Sequence, residues 1–293
     1  MESNFNISNL TSFKIGGSIK KVYFPSSIGE FVEILKSEKN AKVFGNLSNT
    51  LISSYGYDGT VVLTTKMTNI EIDGTTVKAD CGVKGPKLAQ LLQEKGLSGF
   101  EFMIGFPGTI GGNLYMNASA NNQCISENLI SVDVYYKNQI VTISKDELDF
   151  SYRHSSFMDD NRIILSAEFD LKNDTPEIIK QRMQDNLKFR TNHQPSLALP
   201  NCGSVFKNPA GDSAGRLLDS VGAKNMAFGG AYVWDKHANF IINKNATSTD
   251  VLKLMDNMAT AVENFYGIKL LPEMRFLGNN KEEVELCKKL KIE

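Results

Sequence analysis

Several stretches of the chain carry apolar residues at the spacing of an α-helix. In residues 27–35 the apolar residues at 28, 31, 32 and 35 have helical spacing, and Ser27 with Glu30 matches a capping box. Similar patterns, with helix start and stop residues, predict helices over 86–96, 175–190, 213–222 and 249–266. In the last of these, one apolar stripe from Val251 to Phe265 indicates packing on a core.

Other stretches are rich in β-branched residues that alternate with polar ones, as in strands. These stretches are residues 41–45, 60–65, 70–73, 76–83, 129–136, 139–144, 162–171, 240–243 and 268–277. Asp73-Gly74 and Lys137-Asn138 mark turns. Up to about residue 171 the mixture predicts an α+β region, and a polar run after the helix of 175–190 indicates a domain boundary near 190–200.

Length and charge narrow the classes of protein. A chain of 293 residues fits one large domain or two to three smaller ones. The formal net charge is −1, so no overall basic field favours nucleic acid or a membrane surface as a partner. The chain shows neither a run of about 18 apolar residues nor a basic, apolar leader at its start, so we expect no membrane span and no cleaved signal.

The four cysteines stand far apart in the sequence and show no paired spacing. This argues against a disulfide framework and against a zinc site, and it favours the reducing cytoplasm as the compartment. The three histidines include no pair with metal-ligand spacing. We therefore expect no metal.

The segment GFPGTIGG, residues 105–112, packs four glycines and a proline into eight residues. Backbone N–H groups without side chains can approach an anion closely, so a phosphate cradle is one interpretation and a tight turn between core elements is the other. The spacing matches neither the dinucleotide fingerprint nor a Walker loop. A second small, polar turn, GNLSNT at 45–50, follows a strand, and two such loops suggest one elongated ligand with a diphosphate.

Three further segments carry residue types that suit an anionic substrate. Arg153 follows a strand-like stretch in YRHSS, and an Arg offers a planar fork to a carboxylate or phosphate. Ser204 lies in NCGSVFKNP, a loop at the predicted domain boundary. Glu273 and Arg275 alternate with Met274, so both are expected on one face of a strand, either as an ion pair or within a site. Taken singly, Arg153 and Ser204 are better explained as surface or capping residues.

Taken together, the segments resemble a known family. The order TSFKIGG, GNLSNTLIS, GFPGTIGGNLYMNASA, YRHSSF, GSVFKNPAGDSAGRLLD, KHANFIIN and PEMRFLG is similar to the UDP-N-acetylenolpyruvoylglucosamine reductases, the MurB family. The resemblance spans residues 11–278 or so. No long insertion separates Arg153 from Ser204, which indicates the branch of the family with the shorter loop.

The resemblance implies an α+β fold: an FAD-binding domain of the vanillyl-alcohol oxidase (PCMH) type with a smaller α+β substrate-binding domain. The FAD-binding domain is expected over 1–190, with subdomains of about 1–67 and 68–190. The substrate domain is expected over 200–270, and 271–293 would return a C-terminal strand to the active site.

The resemblance also implies the reaction. The family reduces UDP-N-acetylglucosamine enolpyruvate to UDP-N-acetylmuramate in cytoplasmic peptidoglycan precursor synthesis, with NADPH as hydride donor and non-covalent FAD as cofactor. Arg153 would bind and polarise the substrate carboxylate with a protonated Glu273, and Ser204 would deliver a proton to C2. The cofactor-binding residues would be Gly45, Asn46, Ser48, Asn49, Thr50, Gly105, Pro107, Gly108, Thr109, Gly111, Gly112 and Asn117. The substrate-binding residues would be Tyr152, Lys207, Asn208 and Arg275.

Two departures from the family pattern bear on FAD. Leu47 replaces the second glycine of the usual Gly-x-Gly-Ser-Asn, so the turn is expected to do without φ > 0. The usual Asn-Ala-Gly-Ala reads NASA here, with Ser119, and NNQ follows it. These departures keep one alternative in view, a flavin or nucleotide-sugar binding protein without catalysis. An oxidase of the same flavin fold is a second alternative.

Overall fold

The computed structural model describes residues 1–196 and 198–292. Within these residues the α-helices are α1 Ile28–Ser37, α2 Gly85–Glu94, α3 Ile110–Tyr115, α4 Pro176–His193, α5 Ala214–Ser220, α6 Ser248–Tyr266 and α7 Lys281–Leu290. Helices α1, α2, α4, α5 and α6 confirm the predicted helices to within a few residues. The short α3 and the terminal α7 were not predicted from the sequence.

The strands are mostly short. They are β1 Glu2–Asn6, β2 Ser18–Tyr23, β3 Lys42–Phe44, β4 Thr50–Ile52, β5 Tyr57–Leu63, β6 Ile70–Asp73, β7 Thr76–Asp80, β8 Leu97–Ser98, β9 Ser119–Ala120, β10 Gln123–Cys124, β11 Leu129–Tyr136, β12 Gln139–Ser144, β13 Phe150–Ser151, β14 His154–Ser155, β15 Ile163–Asp170, β16 Lys172–Asn173, β17 Ala227–Phe228, β18 Ala231–Val233, β19 Ile241–Asn243 and β20 Arg275–Leu277. One sheet has the order β1-β2-β5-β3, and a larger antiparallel sheet has the order β12-β11-β15-β7-β6.

The capping pattern predicted for α1 forms in part. Ser27 is the N-cap, and its hydroxyl accepts a hydrogen bond from the backbone N–H of Glu30 at 3.2 Å. The Glu30 carboxylate accepts from the N–H of Ser26 at 2.8 Å instead of that of Ser27. The helix start therefore agrees with the prediction, while the return bond reaches one residue further back.

The turns follow from residues that tolerate φ > 0. Lys137 and Asn138 join β11 to β12 with φ of 48° and 64°, the pattern of a type I′ hairpin turn. In the β6–β7 hairpin, Asp73 pairs with Thr76, so the turn is Gly74-Thr75 and the prediction of Asp73-Gly74 was one residue early.

The described chain divides into two compact units. The first contains Met1, Val22–Asn46 and Thr60–Arg190, and the second contains Glu2–Lys21, Leu47–Gly59 and Thr191–Glu293. These are units of packing, and the division by function predicted from the sequence stays a prediction.

Each unit has a hydrophobic core of its own. The core of the first unit includes the fully buried side chains of Phe31 from α1, Leu88 from α2 and Phe169 from β15. In the second unit the predicted apolar stripe of α6 is buried from Val251 to Val262. Phe265 departs from it: the side chain is 72% exposed and meets the ring of Tyr266 edge-on at 4.8 Å.

The predicted last strand over 268–277 was wrong for most of its length. Only Arg275–Leu277 forms β20, which pairs in parallel with β4. Upstream, Pro272 makes an isolated bridge with Phe206. Proline has no N–H to donate, and the hydrogen bonds of this bridge come from its neighbours: the N–H of Glu273 donates to the carbonyl of Val205, and the N–H of Lys207 donates to the carbonyl of Leu271.

Among the described residues, every helix is too short or too polar to cross a membrane.

Candidate active site

The two glycine-containing loops meet within the first unit. A Cβ on Gly45 would lie 2.1 Å from Thr109 Oγ1, so only glycine allows the observed approach. The side-chain N–H of Asn46 also donates to the carbonyl of Pro107 at 2.6 Å. The structure therefore brings together residues from both loops that were predicted to bind one ligand.

Several glycines of the 105–112 loop are also needed for packing. A Cβ on Gly108 would lie 2.2 Å from Asn113 Oδ1, and one on Gly111 would lie 2.9 Å from the Cβ of Cys81. The N–H of Gly111 donates to the carbonyl of Cys81 at 2.9 Å, and that of Ile110 donates to Val83 at 2.8 Å. These two amides hold the loop, so the interpretation as a tight turn applies to this part of it.

FAD fits this arrangement. Gly45 lets the two loops approach closely at Thr109, and the predicted cofactor-binding residues are all uncharged, so none carries a carboxylate to repel a diphosphate. At the other end of the loop, a Cβ on Gly105 would lie 2.7 Å from Cδ of Arg190. Burial lowers the pKa of this guanidinium.

The backbone of Leu47 differs from the expectation that this turn would lack a positive φ. Its backbone has φ of +51° although it carries a side chain, so the turn does adopt the conformation usually reserved for glycine. The side chain is 3% exposed. Burial of the leucine offsets the strain of its backbone, which is why a residue other than glycine is tolerated at this turn.

The segment after Leu47 lies beside the C-terminal strand in the second unit. Asn49 donates from Nδ2 to the carbonyl of Glu273 at 3.0 Å, and its own carbonyl accepts from the N–H of Arg275 at 3.0 Å. Thr50 pairs with Arg275 in the β4–β20 register, and the hydroxyl of Ser12 donates to the carbonyl of Ser48 at 3.3 Å. Asn49 and Thr50, predicted to bind the cofactor, thus hold the backbone of the predicted Glu273 and Arg275.

Arg153 occupies a tight turn in the first unit. Strands β13 and β14 pair Ser151 with His154, so Tyr152 and Arg153 are the two residues of the turn. Arg153 has φ of +55°, a value that favours glycine at the second central position of a turn. The guanidinium lies over the ring of Tyr152, 5.4 Å from its centroid. A candidate catalytic side chain therefore sits on strained backbone, as is common at functional sites.

Side-chain hydrogen bonds tie this turn to the segment 115–119. Arg153 donates from Nη1 to the hydroxyl of Ser119 at 2.8 Å. Asn117 donates from Nδ2 to the carbonyl of Ser151 at 2.9 Å, and the hydroxyl of Ser155 donates to the carbonyl of Tyr115 at 2.7 Å. Asn117, predicted to contact the cofactor, is thus engaged in holding the Arg153 turn.

The Ser204 loop is held by its backbone in the second unit. The N–H of Val205 donates to the carbonyl of Asn239 at 3.0 Å. The Asn239 side chain accepts from the N–H of Phe206 at 2.9 Å and donates to the carbonyl of the same residue at 2.8 Å. With Asn239 only 3% exposed, both bonds are shielded from water and fix the residues that follow Ser204.

The same loop pairs with the segment that carries Glu273. The N–H of Glu273 donates to the carbonyl of Val205 at 2.9 Å, and the N–H of Lys207 donates to that of Leu271 at 2.8 Å. The structure thus brings Ser204 and Glu273 onto adjoining backbone segments. Met274 is buried while Glu273 and Arg275 are half-buried, so the predicted alternation of faces holds here although the regular strand does not.

The remaining predicted substrate residues belong to the same two loops. Asn208 is exposed, and its Oδ1 accepts from the N–H of Ala214 at the start of α5 at 3.0 Å. Lys207 is half-buried beside it, and Tyr152 of the Arg153 turn is 53% exposed.

Two groups near Ser204 are kept neutral by their surroundings. Burial, with the nearby Glu273 carboxylate, raises the pKa of the Cys202 thiol well above its usual range. Burial also lowers the pKa of His237, whose Nδ1 accepts from the N–H of Asn239 at 3.2 Å. His237 therefore supports the loop structurally. Among the described residues, no group of three or more His, Cys, Asp and Glu side chains is arranged to hold a metal ion.

Two residues of this site escaped the sequence reasoning. Asn239 was visible only as part of KHANFIIN, and Ser119 only as a departure from the family motif. An Asn that binds backbone in a distant loop leaves no periodic signal, because the partner is set by the tertiary fold. The Ser119 hydroxyl was visible in the sequence, but its partner Arg153 was not.

Comparisons with known proteins agree with this architecture. An FAD binding domain model matches residues 19–142, and a model of the C-terminal domain of UDP-N-acetylenolpyruvoylglucosamine reductase matches residues 194–277. The reductase of Caldicellulosiruptor saccharolyticus is 36% identical over 282 residues, which cover 93% of this chain and 90% of the relative. That of Latilactobacillus sakei is 35% identical over 288 residues, which cover 96% and 95%.

A solved structure is similar over nearly the whole chain. The crystal structure of UDP-N-acetylenolpyruvylglucosamine reductase (MurB) from Thermus caldophilus has a TM-score of 0.80 and 28% identity, and the match covers 94% of this chain and 98% of that one. The predicted α+β fold with an FAD-binding domain is confirmed. The chain belongs to the UDP-N-acetylenolpyruvoylglucosamine reductase family.

Proposed function

We infer that this chain reduces UDP-N-acetylglucosamine enolpyruvate to UDP-N-acetylmuramate with NADPH and bound FAD, in peptidoglycan precursor synthesis. The observation that carries this function is the 36% identity to a reductase of that name along 93% of the chain, with an FAD binding domain model matching residues 19–142. The substrate and NADPH are the partners that the reaction requires.

We propose that Gly45, Asn46, Gly108 and Thr109, with Asn49 and Thr50, contact the FAD diphosphate and its neighbouring groups. Backbone N–H groups and small polar side chains can meet a diphosphate without a basic patch, which suits a chain of net charge −1. FAD bound by these residues would supply the redox chemistry that couples NADPH to reduction of the enolpyruvyl group at C3. Gly105, Pro107, Gly111, Gly112, Ser48 and Asn117 complete the proposed cofactor loops.

We propose that Arg153 binds the substrate carboxylate. Hydride addition at C3 leaves negative charge at C2, which the adjacent carboxylate accepts by delocalisation. A guanidinium that already faces the carboxylate stabilises this charge as it develops, and the planar fork matches both oxygens. Its position on a two-residue turn limits backbone movement at the moment when orientation matters.

We propose that Ser204 transfers its hydroxyl proton to C2. A serine is a poor acid in water, but the basic enol-type intermediate accepts its proton when the hydroxyl is held within hydrogen-bond reach. The neighbouring Val205 is fixed on both sides, through its N–H to Asn239 and through its carbonyl to Glu273. Glu273, when protonated, donates a hydrogen bond to the carboxylate and assists Arg153.

The substrate also carries a diphosphate and a sugar. We propose that Lys207, Asn208, Arg275 and Tyr152 contact these polar groups, since Lys and Arg meet anions directly and the Tyr ring of the Arg153 turn is exposed.

The test is an anaerobic two-step reaction of the purified holoenzyme, followed by flavin absorbance. NADPH should bleach the flavin, and UDP-N-acetylglucosamine enolpyruvate should restore it. Ser204→Ala should keep the first step and slow the second by about 10²-fold or more, the usual contribution of a positioned general acid. Ser220→Ala, a hydroxyl of the same unit that binds the carbonyl of Leu217, is the matched control.

The outcomes separate the parts of the proposal. A flavin that bleaches and is not restored by the substrate contradicts the reductase function. Restoration at an unchanged rate in Ser204→Ala contradicts only the role of Ser204.

We also propose the cytoplasm as the compartment. The structure shows all four cysteines as free thiols, three of them buried, which is typical of a reducing environment.

A further inference from the structure

Ser119 lies in a short, well-defined hairpin of the first unit. Strands β9 and β10 pair Ser119 with Cys124, and the turn between them is formed by Asn121 and Asn122. These residues have φ of 52° and 60°, the pattern of a type I′ turn, which asparagine tolerates better than most residues. The segment NASANNQ, noted in the sequence as a departure from the family, is thus an ordered structure that fixes the backbone of Ser119.

The hydroxyl of Ser119 contacts the candidate catalytic arginine directly. Arg153 Nη1 lies 2.8 Å from Ser119 Oγ and 3.5 Å from the backbone carbonyl of the same residue. The shorter bond depends on the side chain, and the longer one, at the limit of a hydrogen bond, needs only the backbone. A glycine at position 119 keeps the carbonyl and loses the hydroxyl.

This contact can fix the orientation of the whole guanidinium group. The group is planar, so holding one Nη against a fixed oxygen sets the rotation of the whole plane and the direction of its other N–H groups. An arginine side chain that is free to rotate loses rotamer entropy when it is ordered, and this loss opposes substrate binding. Orienting the plane before the substrate arrives removes that cost from the reaction.

We propose that Ser119 is a positioning residue for Arg153: its hydroxyl orients the guanidinium toward the substrate carboxylate, replacing by a side chain what the family's usual glycine cannot supply. This inference rests on the proposed function, in which Arg153 binds that carboxylate. Ser119 itself needs no contact with substrate or cofactor.

The experiment compares Ser119→Ala, Ser119→Gly and Ser119→Thr in the holoenzyme. Ala and Gly should slow substrate-dependent flavin reoxidation about tenfold, a change of ~1.4 kcal/mol in the barrier. Flavin reduction by NADPH and the melting temperature should stay unchanged. Thr restores a hydroxyl and should recover the rate to within about threefold of the original. Cys124→Ala, the cross-strand partner of Ser119, is the control for disturbance of the hairpin.

A double-mutant cycle asks whether Ser119 acts through Arg153. In an Arg153→Ala background, Ser119→Ala should cause no further loss, because the group that it orients is absent. An equal tenfold loss in both backgrounds would overturn the proposal, as would unchanged rates in all Ser119 variants or equal slowing of both flavin steps.

Ligand binding gives a readout that does not depend on turnover. Calorimetry on the holoenzyme should show that Ser119→Ala weakens binding of UDP-N-acetylmuramate, which carries the carboxylate, more than binding of UDP-N-acetylglucosamine, which does not. A structural disturbance would weaken both equally and would contradict the proposal. If the unmodified enzyme is not reoxidised by the substrate, the proposed function fails first, and the role of Ser119 fails with it.

Discussion

The Arg153 turn and the Ser204 loop carry their candidate catalytic side chains in different ways. Arg153 stands on a two-residue turn with φ of +55°, and its Nη1 binds the side chain of Ser119. Ser204 precedes residues whose backbone groups bond on both sides, to Asn239 and to the segment of Leu271 and Glu273. The first arrangement depends on single side chains, whereas the second depends mainly on main-chain pairing.

The difference follows from the chemistry asked of each group. A long guanidinium reaches its target through several rotatable bonds, so side-chain contacts must set its direction. A serine hydroxyl has one rotatable bond, so its location is set almost entirely by the backbone. The Arg153 turn should therefore respond to substitutions that leave the fold intact, and the Ser204 loop should respond to those that also reduce stability.

The largest expected effect comes from breaking the backbone support of the Ser204 loop. Asn239→Ala leaves a buried N–H and a buried carbonyl of Phe206 without partners, at ~1–3 kcal/mol each, so we expect a loss of about 3 kcal/mol in unfolding free energy. Flavin reoxidation by substrate should slow as well, since Ser204 shifts with the loop. Denaturant unfolding and the two-step flavin assay measure the two effects.

A matched control for this substitution exists in the same unit. The Asn243 side chain also binds backbone on both sides, donating to the carbonyl of Phe13 and accepting from the N–H of Ala246. Asn243→Ala should lower stability and leave the substrate step alone. Equal slowing of that step in both variants would show that lost stability, and not the Ser204 loop, controls the rate.

Substitutions of Leu47 separate the strain of its backbone from the stabilisation gained by burying its side chain. Leu47→Ala should cost about 3 kcal/mol because a buried leucine is truncated, and the remaining Cβ keeps the backbone strained at φ of +51°. Leu47→Gly loses slightly more packing but relieves that strain, worth ~1 kcal/mol. We therefore expect the Gly variant to be at least as stable as the Ala variant, the reverse of the usual order. Thermal unfolding of both settles this, and an Ala variant clearly more stable than Gly would contradict it.

The stability of the first unit should also depend on pH, through the ionisation of one buried carboxyl group. Glu101 is buried, and although burial alone opposes its charge, hydrogen bonds from Ser98, from the N–H of Gly99 and from Arg182 lower the pKa of the carboxyl overall. A depressed carboxyl pKa stabilises the fold above the unfolded-state value, and this contribution disappears as pH falls through the folded-state value. The contribution of Glu101 should therefore be fully present above the ordinary carboxyl value of 4.5 and should be lost as the pH falls below it.

The variant Glu101→Gln isolates this contribution. Its unfolding free energy should be lower than that of the original protein near neutral pH, and the gap should shrink on acidification. A gap that stays constant with pH would mean that the charge of Glu101 contributes nothing.

Most helices and strands could be predicted because the periodicity of apolar residues is visible within a single segment of the sequence. The buried stripe of α6 and the β11–β12 hairpin followed directly from residue order. The strand expected over 268–277 did not form as a whole, because the segment pairs with Phe206 only at Pro272 and with β4 only from Arg275 onward, and pairing partners are set by the tertiary fold. The φ of Leu47 was also missed, since burial of a side chain by the tertiary fold overrides a local preference.

The candidate site was only partly within reach of the sequence. Motif order gave Arg153, Ser204 and Glu273, but their roles stay predictions, and the groups that hold them were invisible. Asn239 and Ser119 act on segments far along the chain, and such pairs are fixed by packing and not by spacing.

The smallest expected effect gives the sharpest view of the strained turn. At φ of +55°, glycine is more favourable than alanine by ~1 kcal/mol, so Arg153→Gly should be more stable than Arg153→Ala by about that amount. Both should slow substrate-dependent flavin reoxidation far more than any Ser119 substitution, because neither carries a guanidinium. The pair thus separates backbone strain from chemistry at one position: chemical denaturation reports the strain, and the flavin assay reports the function. If Ala is as stable as Gly, the turn relaxes once the side chain is gone, and the positive φ is then imposed by the contacts of Arg153 itself, its bond to Ser119 and its stacking on Tyr152.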